Sequence, residues 1–149
     1  MTIRCEIVSQ DRTVFQDDVE IVVLPGAAGE MGILPNHAPV LTTLKYGVIK
    51  IRRKGREDLF AVAGGVAEVQ PSIVTILADA AENIEDIDIV RAKAAKKRAE
   101  DALANLSPES DRDAYYVMEA ALRRSNLRLD VARRYRTVRG NITELDEAL

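Results

Sequence analysis

Residues 26–39 read GAAGEMGILPNHAP, and what they form decides the kind of domain around them. Gly26, Gly29 and Gly32 tolerate backbone angles closed to other residues. Pro35 and Pro39 fix φ, withdraw two N–H donors and discourage helix on either side. The stretch is therefore expected to be a shaped connection between strands. It also holds the chain's single histidine, His37, beside Asn36 and close to the apolar Ile33 and Leu34. On residue types alone this is a turn-rich corner of a β domain, its histidine bonded to a neighbouring carbonyl.

Outward from that corner the pattern is β, from about residue 2 to residue 79. Ile3, Cys5 and Ile7 alternate with Arg4 and Glu6, the period of two that marks a strand with one buried face. Residues 14–24 form a β-branched run interrupted by Asp17 and Asp18, which predicts two strands or one bent strand. RRKGRED, residues 52–58, sets Gly55 in a charged cluster and predicts a hairpin turn. Val48, Ile49 and Ile51 lead into it, and Leu59, Ala61 and Ala63 return from it. Gly64 and Gly65 predict a break or bulge, and Pro71 with Ser72 a turn before a last apolar strand at 73–78. Many short strands with close-set turns imply a sandwich or flattened barrel.

After Asp79 alanine, glutamate, lysine and arginine dominate, and no glycine recurs before Gly140. Asp86 or Asp88 is placed to cap a first helix, in which Ala92, Ala95, Ala99, Ala102 and Leu106 form a narrow stripe of small residues. Ser107 with Pro108, or Ser110 with Asp113, starts a second. Its stripe is Val117, Ala120, Arg124, Leu127, Val131 and Tyr135, with Ala121 alongside. The short link predicts an antiparallel hairpin. Burial contributes about 25 cal/mol per Å² of apolar area, so an alanine-lined seam holds such a hairpin only marginally. The expected architecture is an all-β sandwich N-terminal domain over 1–84, then an α-helical hairpin C-terminal domain over 85–139. The acidic tail GNITELDEAL, 140–149, is expected to be frayed or disordered.

At 149 residues and 47% hydrophobic, the chain can build a core without staples. One cysteine excludes a disulfide framework and suits a reducing compartment. No apolar run approaches the roughly 20 residues that span a bilayer, and MTIRCEIVSQD lacks the apolar centre of a secretion signal. The expectation is a soluble chain that stays where it is made. A net charge of −3 argues against a general nucleic-acid binder, although arginines crowd between 123 and 139. One histidine and one distant cysteine, with no CxxC or HExxH, make a zinc site or a Cys/His nucleophile improbable. GAAGEMG is not a phosphate-binding P-loop, since no Gly-Lys-Ser/Thr follows. These residues suggest a binding module, not an enzyme.

GEMGILPNHAP, followed by Thr42, Thr43, Leu44 and Gly47, resembles a signature of the ε subunit of F-type (F1Fo) ATP synthases. AGGVAEV, 63–69, resembles the second signature, with Val66 where an aromatic is usual. The resemblance runs from about residue 2 to residue 132. It implies a non-catalytic central-stalk subunit of the rotor, whose β-sandwich docks on the γ subunit and the c ring. The implied contact segment contains Gly29, Gly32, Ile33, Leu34, Pro35, Asn36, His37 and Pro39. The implied location is peripheral, on the cytoplasmic face of an energy-transducing membrane, a bacterial plasma membrane, without direct insertion. A second reading is a stand-alone ligand-binding β protein with a helical dimerisation arm joined through Val117, Leu127 and Val131.

Ile87-Asp88-Ile89-Val90-Arg91-Ala92 matches the I/L-D-x-x-R-A pattern of ε subunits that bind ATP between their helices. Arg98 lies seven after Arg91 on the same face, and Arg124 and Arg128 lie four apart on the second helix. Closed together, these guanidiniums repel unless an anion enters, and their forks suit phosphate oxygens. The resemblance implies a regulatory ATP site, with no obligatory cofactor, at Glu82, Ile87, Asp88, Arg91, Ala92, Arg98, Arg124 and Arg128. In it Asp88 or Glu82 accepts from adenine or ribose, Ile87 and Ala92 pack on the base, and the arginines hold phosphate. The plainer alternative is that these arginines are solvated or pair with Glu100, Asp101 and Glu119.

Arg133, Arg134 and Arg136, with Arg139, admit three readings: a solvated helix end, a lipid contact, or a contact with an acidic protein surface. The resemblance favours the last, an inhibitory contact with the catalytic α and β subunits when the hairpin extends.

Overall fold

The structure, a computed structural model, describes residues 1–136; Arg139 and the expected tail at 140–149 lie outside the described residues. The described residues divide into two compact units, one ending at Asn83 and the other beginning at Ile84.

The first unit is built from β1 (Ile3–Val8), β2 (Thr13–Val19), β3 (Ile21–Gly26), β4 (Gly29–Ile33), β5 (Val40–Arg53), β6 (Arg56–Val69), β7 (Ile73–Ala78) and β8 (Ala81–Asn83). Their order is β2-β1-β7-β6-β5-β3-β4, with β8 beside β6. Only β1 and β7 run parallel among these pairs. The run at 14–24 resolves into two strands parted at Glu20. Residues 26–39 are not a connection throughout: Gly29–Ile33 forms β4, paired with β3 through Val22 opposite Ile33 and Gly26 opposite Gly29.

β5 and β6 are joined at Lys54 (φ 48°) and Gly55 (φ 75°), the left-handed pair that a tight hairpin turn requires. Neither the break nor the bulge expected at Gly64 and Gly65 occurs: β6 runs through both, in unshifted register with β5. There the strand changes partner instead: Phe60–Val62 face β8, whereas Gly65–Val69 face β7. Gly64 and Gly65 take φ of +83° and +132°, angles that glycine alone adopts readily.

The sheet folds over a core containing Ile3, Cys5, Ile7, Val22, Ile49, Val62 and Ile76. The edge strand β2 meets the long hairpin where Phe15 packs edge-on against Phe60, ring centroids 5.4 Å apart. Arg53 lies over the Phe15 ring at 5.1 Å and pairs with both Asp17 and Asp58. These contacts close the sheet into a β-sandwich.

The second unit opens with a 3₁₀ turn at Ile84–Asp86, followed by α1 (Ile89–Ala104) and α2 (Arg112–Arg136). Asp88 is the N-cap of α1, its carboxylate accepting from Arg91 N at 3.0 Å. α2 begins at Arg112, within one residue of the start that Ser110 with Asp113 gives and four residues beyond the start at Pro108. Ser107 and Asp111 are tied across the link, Ser107 N donating to Asp111 Oδ2 at 3.0 Å, and the Asp111 carbonyl takes the bond from Tyr115 N at 2.8 Å. Pro108 therefore lies in the link.

The seam keeps Ala92, Ala99 and Val131 of the expected stripes but is shifted on α2, where Val117 turns outward. Ala92 and Ala99 are buried on α1, and Ser125, Val131 and Ala132 on α2, whereas Val117 is 55% exposed. The reason is steric. Ala92 and Ala99 are seven apart, and so are Ser125 and Ala132, so two rows of small side chains meet along one line. Ser125 is tolerated there because its Oγ donates to Ala121 O at 2.9 Å.

Candidate functional site

Arg91 and Arg98 each stand one position before a buried alanine of α1, and both are exposed. Arg124 stands one position before buried Ser125, with Arg128 a turn further on, and both are half-buried. In two antiparallel helices that face each other, one step back along either rotates toward the same flank of the pair. Helical phase therefore puts these four arginines on one flank of the seam. Ile87 and Ala92 are buried. Asp88 is exposed, with Oδ1 committed to the cap. Glu82 lies on β8, opposite Ala61, in the sandwich unit.

The opposite flank is an open cleft of about 450 Å³ whose lining includes Lys93, Lys97, Glu100, Asn126, Asp130 and Arg133. Its charges are partly paired, Lys97 with Asp101 at 3.7 Å and Asp130 with Arg134 at 3.3 Å. Arg133 and Arg134 are exposed.

Arg136 behaves differently. Its Nη2 donates to the main-chain oxygens of Ile84 (2.8 Å), Glu85 (2.9 Å) and Ile87 (2.6 Å). In this closed hairpin Arg136 Nη2 turns inward, whereas the contact expected of Arg136 belongs to the extended hairpin. Sequence reading gave no sign of this, because carbonyl oxygens carry no residue signature.

In the sandwich, Ile33 is fully buried in the core, so its side chain cannot meet a partner here, in contrast to its place in the expected contact segment. Leu34 beside it is 57% exposed. Gly32 and Pro39 are exposed, while Gly29 and Pro35 are half-buried. Asn36 sits at φ 64° with its N–H on Pro71 O at 2.9 Å, and His37 Nδ1 lies 2.8 Å from Ala38 O. The apolar surface that the sequence reading passed over is Leu41, Val66 and Leu77. Val66 stands opposite both Thr43 and Leu77, and all three apolar residues face outward. Leu41, an apolar residue at an outward position of an alternating strand, was the available signal.

Among the described residues no three His, Cys, Asp or Glu side chains gather as a metal would need. Burial, reinforced by Glu6, pushes the Cys5 thiol up to about 12, so it is no nucleophile. No described helix is long and apolar enough to cross a membrane.

A sandwich with an exposed apolar strip, followed by a helical hairpin seamed by small side chains, defines a two-domain protein of the segregated β-then-α class. The β-sandwich domain of the ATP synthase delta/epsilon chain matches residues 2–84, and the long α-helix domain of the same chain matches residues 85–133. The chain belongs to that family, on the side of the epsilon subunits of F-type ATP synthases, and is a non-catalytic stalk subunit of that membrane-associated complex. It is 47% identical over 131 residues to the ATP synthase epsilon chain of Bacillus velezensis, covering 88% of this chain and 97% of that one. It is 44% identical over 140 residues to that of Dehalococcoides mccartyi, covering 90% and 94%. A chain of the Euglena gracilis mitochondrial ATP synthase, from its OSCP/F1/c-ring assembly, superposes with a TM-score of 0.63 at 25% identity, covering 81% and 75%. A chain of the central stalk and c-ring of the Tetrahymena thermophila enzyme shares the fold, with a TM-score of 0.59 at 14% identity, covering 89% and 97%. Family membership sets aside the stand-alone protein with a dimerisation arm.

Proposed function

We propose that this chain joins the γ subunit to the c ring of a bacterial ATP synthase at the cytoplasmic face of the plasma membrane. Its hairpin is a two-state regulator, binding ATP when closed and opposing ATP hydrolysis when extended against the α and β subunits. The observation that carries this reading is the placement of Arg91, Arg98, Arg124 and Arg128 on one flank of a seam made of alanine and serine. Such a seam buries little apolar area, so the closed state is weakly held, and the arginines offer phosphate oxygens several charged donors. At ATP a hundred times its dissociation constant, binding adds about 2.7 kcal/mol to the closed form. ATP shifts the equilibrium only by its preference for that form.

Asp88 keeps one carboxylate oxygen for a ribose hydroxyl or the adenine amino group while the other caps α1. The strip of Leu41, Val66 and Leu77, with the exposed Leu34, offers the apolar surface for docking on the stalk. Arg133 and Arg134, exposed at the end of α2, are placed to meet acidic surfaces once the helices extend.

Calorimetric titration of the chain with ATP, with and without Mg²⁺, tests the nucleotide reading. Saturable binding weakened by Arg124→Ala, and by Asp88→Asn, which keeps a competent cap, supports it. Absence of heat at millimolar ATP removes ATP from the account.

A further inference from the structure

One nitrogen closes the open end of the hairpin. Arg136 Nη2, in the last turn of α2, stands 2.8 Å from Ile84 O, 2.9 Å from Glu85 O and 2.6 Å from Ile87 O. The three acceptors belong to the 3₁₀ turn and to the residue just before the α1 cap. Two of them, on Ile84 and Ile87, come from residues only 3% exposed. Ile84 O also accepts from Ile87 N at 3.3 Å, so the cation grips a turn already bonded to itself.

We propose that Arg136 is a positioning residue, a clasp that makes the start of α1 and the end of α2 form and release as one unit. Three features carry this. The clasp joins residues about fifty apart in sequence, so every opening of the hairpin breaks it. A guanidinium on three neutral carbonyls is a charge-assisted contact stronger than ordinary hydrogen bonds. The seam it supplements is made of small side chains and contributes little by itself. The gripped segment contains Ile87 and adjoins Asp88, so the clasp also fixes the geometry of the proposed nucleotide motif; this last consequence rests on the reading given under Proposed function. It also sets an order of events, in which Arg136 leaves the carbonyls before it is free for any partner of the extended hairpin.

Amide hydrogen exchange on the full chain, without nucleotide and then with ATP, tests the clasp. Arg136→Ala is expected to speed exchange of the Ile87, Arg91 and Ala92 amides about tenfold, the scale of one lost charged hydrogen bond. Alanine is the better helix former, so weaker helix propensity would not explain such a change. Because a single nitrogen makes all three contacts, Arg136→Lys, with three donors on one nitrogen, restores most of the protection. Arg134→Ala, which removes the exposed pair to Asp130 and leaves Arg136 in place, leaves it unchanged. Unaltered exchange in Arg136→Ala, or equal loosening by Arg134→Ala, overturns the clasp. The ATP arm is separate: if ATP protects nothing in the wild type while Arg136→Ala still loosens the turn, the nucleotide reading fails and the clasp stands.

Discussion

Gly65 lies so close beneath Leu77 that a Cβ built on it would stand 2.3 Å from the Leu77 carbonyl oxygen and 2.8 Å from Ala78 Cα. At this point β6 leaves β8 for β7, with the backbone at φ +132°. Gly65→Ala therefore meets backbone that has no room to move and a conformation that L residues resist. The expected loss of stability is about 2–4 kcal/mol, read from chemical denaturation. Gly32→Ala, whose new methyl would come no nearer than 4.0 Å to Ile21 Cδ1, should change little. Equal losses at the two sites would refute the steric argument.

Asp17 is expected to contribute to the acid sensitivity of the fold. The main-chain N–H of Asp18, 2.8 Å away, and then the Arg53 guanidinium hold the Asp17 carboxyl below its ordinary value. A carboxylate whose pKa is lower folded than unfolded contributes stability above its unfolded pKa, near 3.9, and loses it as pH falls through the folded value. Denaturation midpoints measured between about pH 2 and pH 6 should fall less steeply with acid in Asp17→Asn than in the wild type. Parallel curves would assign the acid sensitivity to other groups.

Cys5 should be inert in the folded chain. Its side chain is fully buried and its thiol is pushed up to about 12. Iodoacetamide at pH 8 is expected to leave it unmodified in the native chain and to alkylate it fully in denaturant. Fast native labelling would show that β1 opens readily.

The hairpin should respond to overpacking independently of the sandwich. Ala99 is 2% exposed in the seam. Ala99→Leu is expected to weaken the closed hairpin by about 1–3 kcal/mol, because three added carbons have no space between close helices. Circular dichroism should then show earlier melting of helix while the β signal persists; loss of both together would mean that the two units do not unfold separately.

Much of the sandwich was legible because burial writes a period of two. Ile3, Cys5 and Ile7 are all in the core as their alternation requires, and Gly55 marks its hairpin through backbone geometry alone. The continuity of β6 was hidden because the glycine pair answers to the backbone of β7, a non-local demand. In α2, steps of three and four permit neighbouring stripes, and the alanines of α1 select the one holding Ser125 over the one holding Val117. Side-chain motifs pointed to Asp88 and the four arginines, but nothing in the residues pointed to Arg136, whose partners are carbonyl oxygens that every residue possesses.

The most direct test of the central claim is ATP hydrolysis by the reconstituted synthase complex carrying this chain, followed across ATP concentration beside the Arg124→Ala variant and a chain ending at Asp86. A two-state hairpin that closes on ATP predicts strong inhibition at low ATP and relief as ATP rises. It also predicts relief displaced to higher ATP in Arg124→Ala, and no inhibition without the helices. Inhibition by the full chain that is the same at every ATP concentration would contradict it.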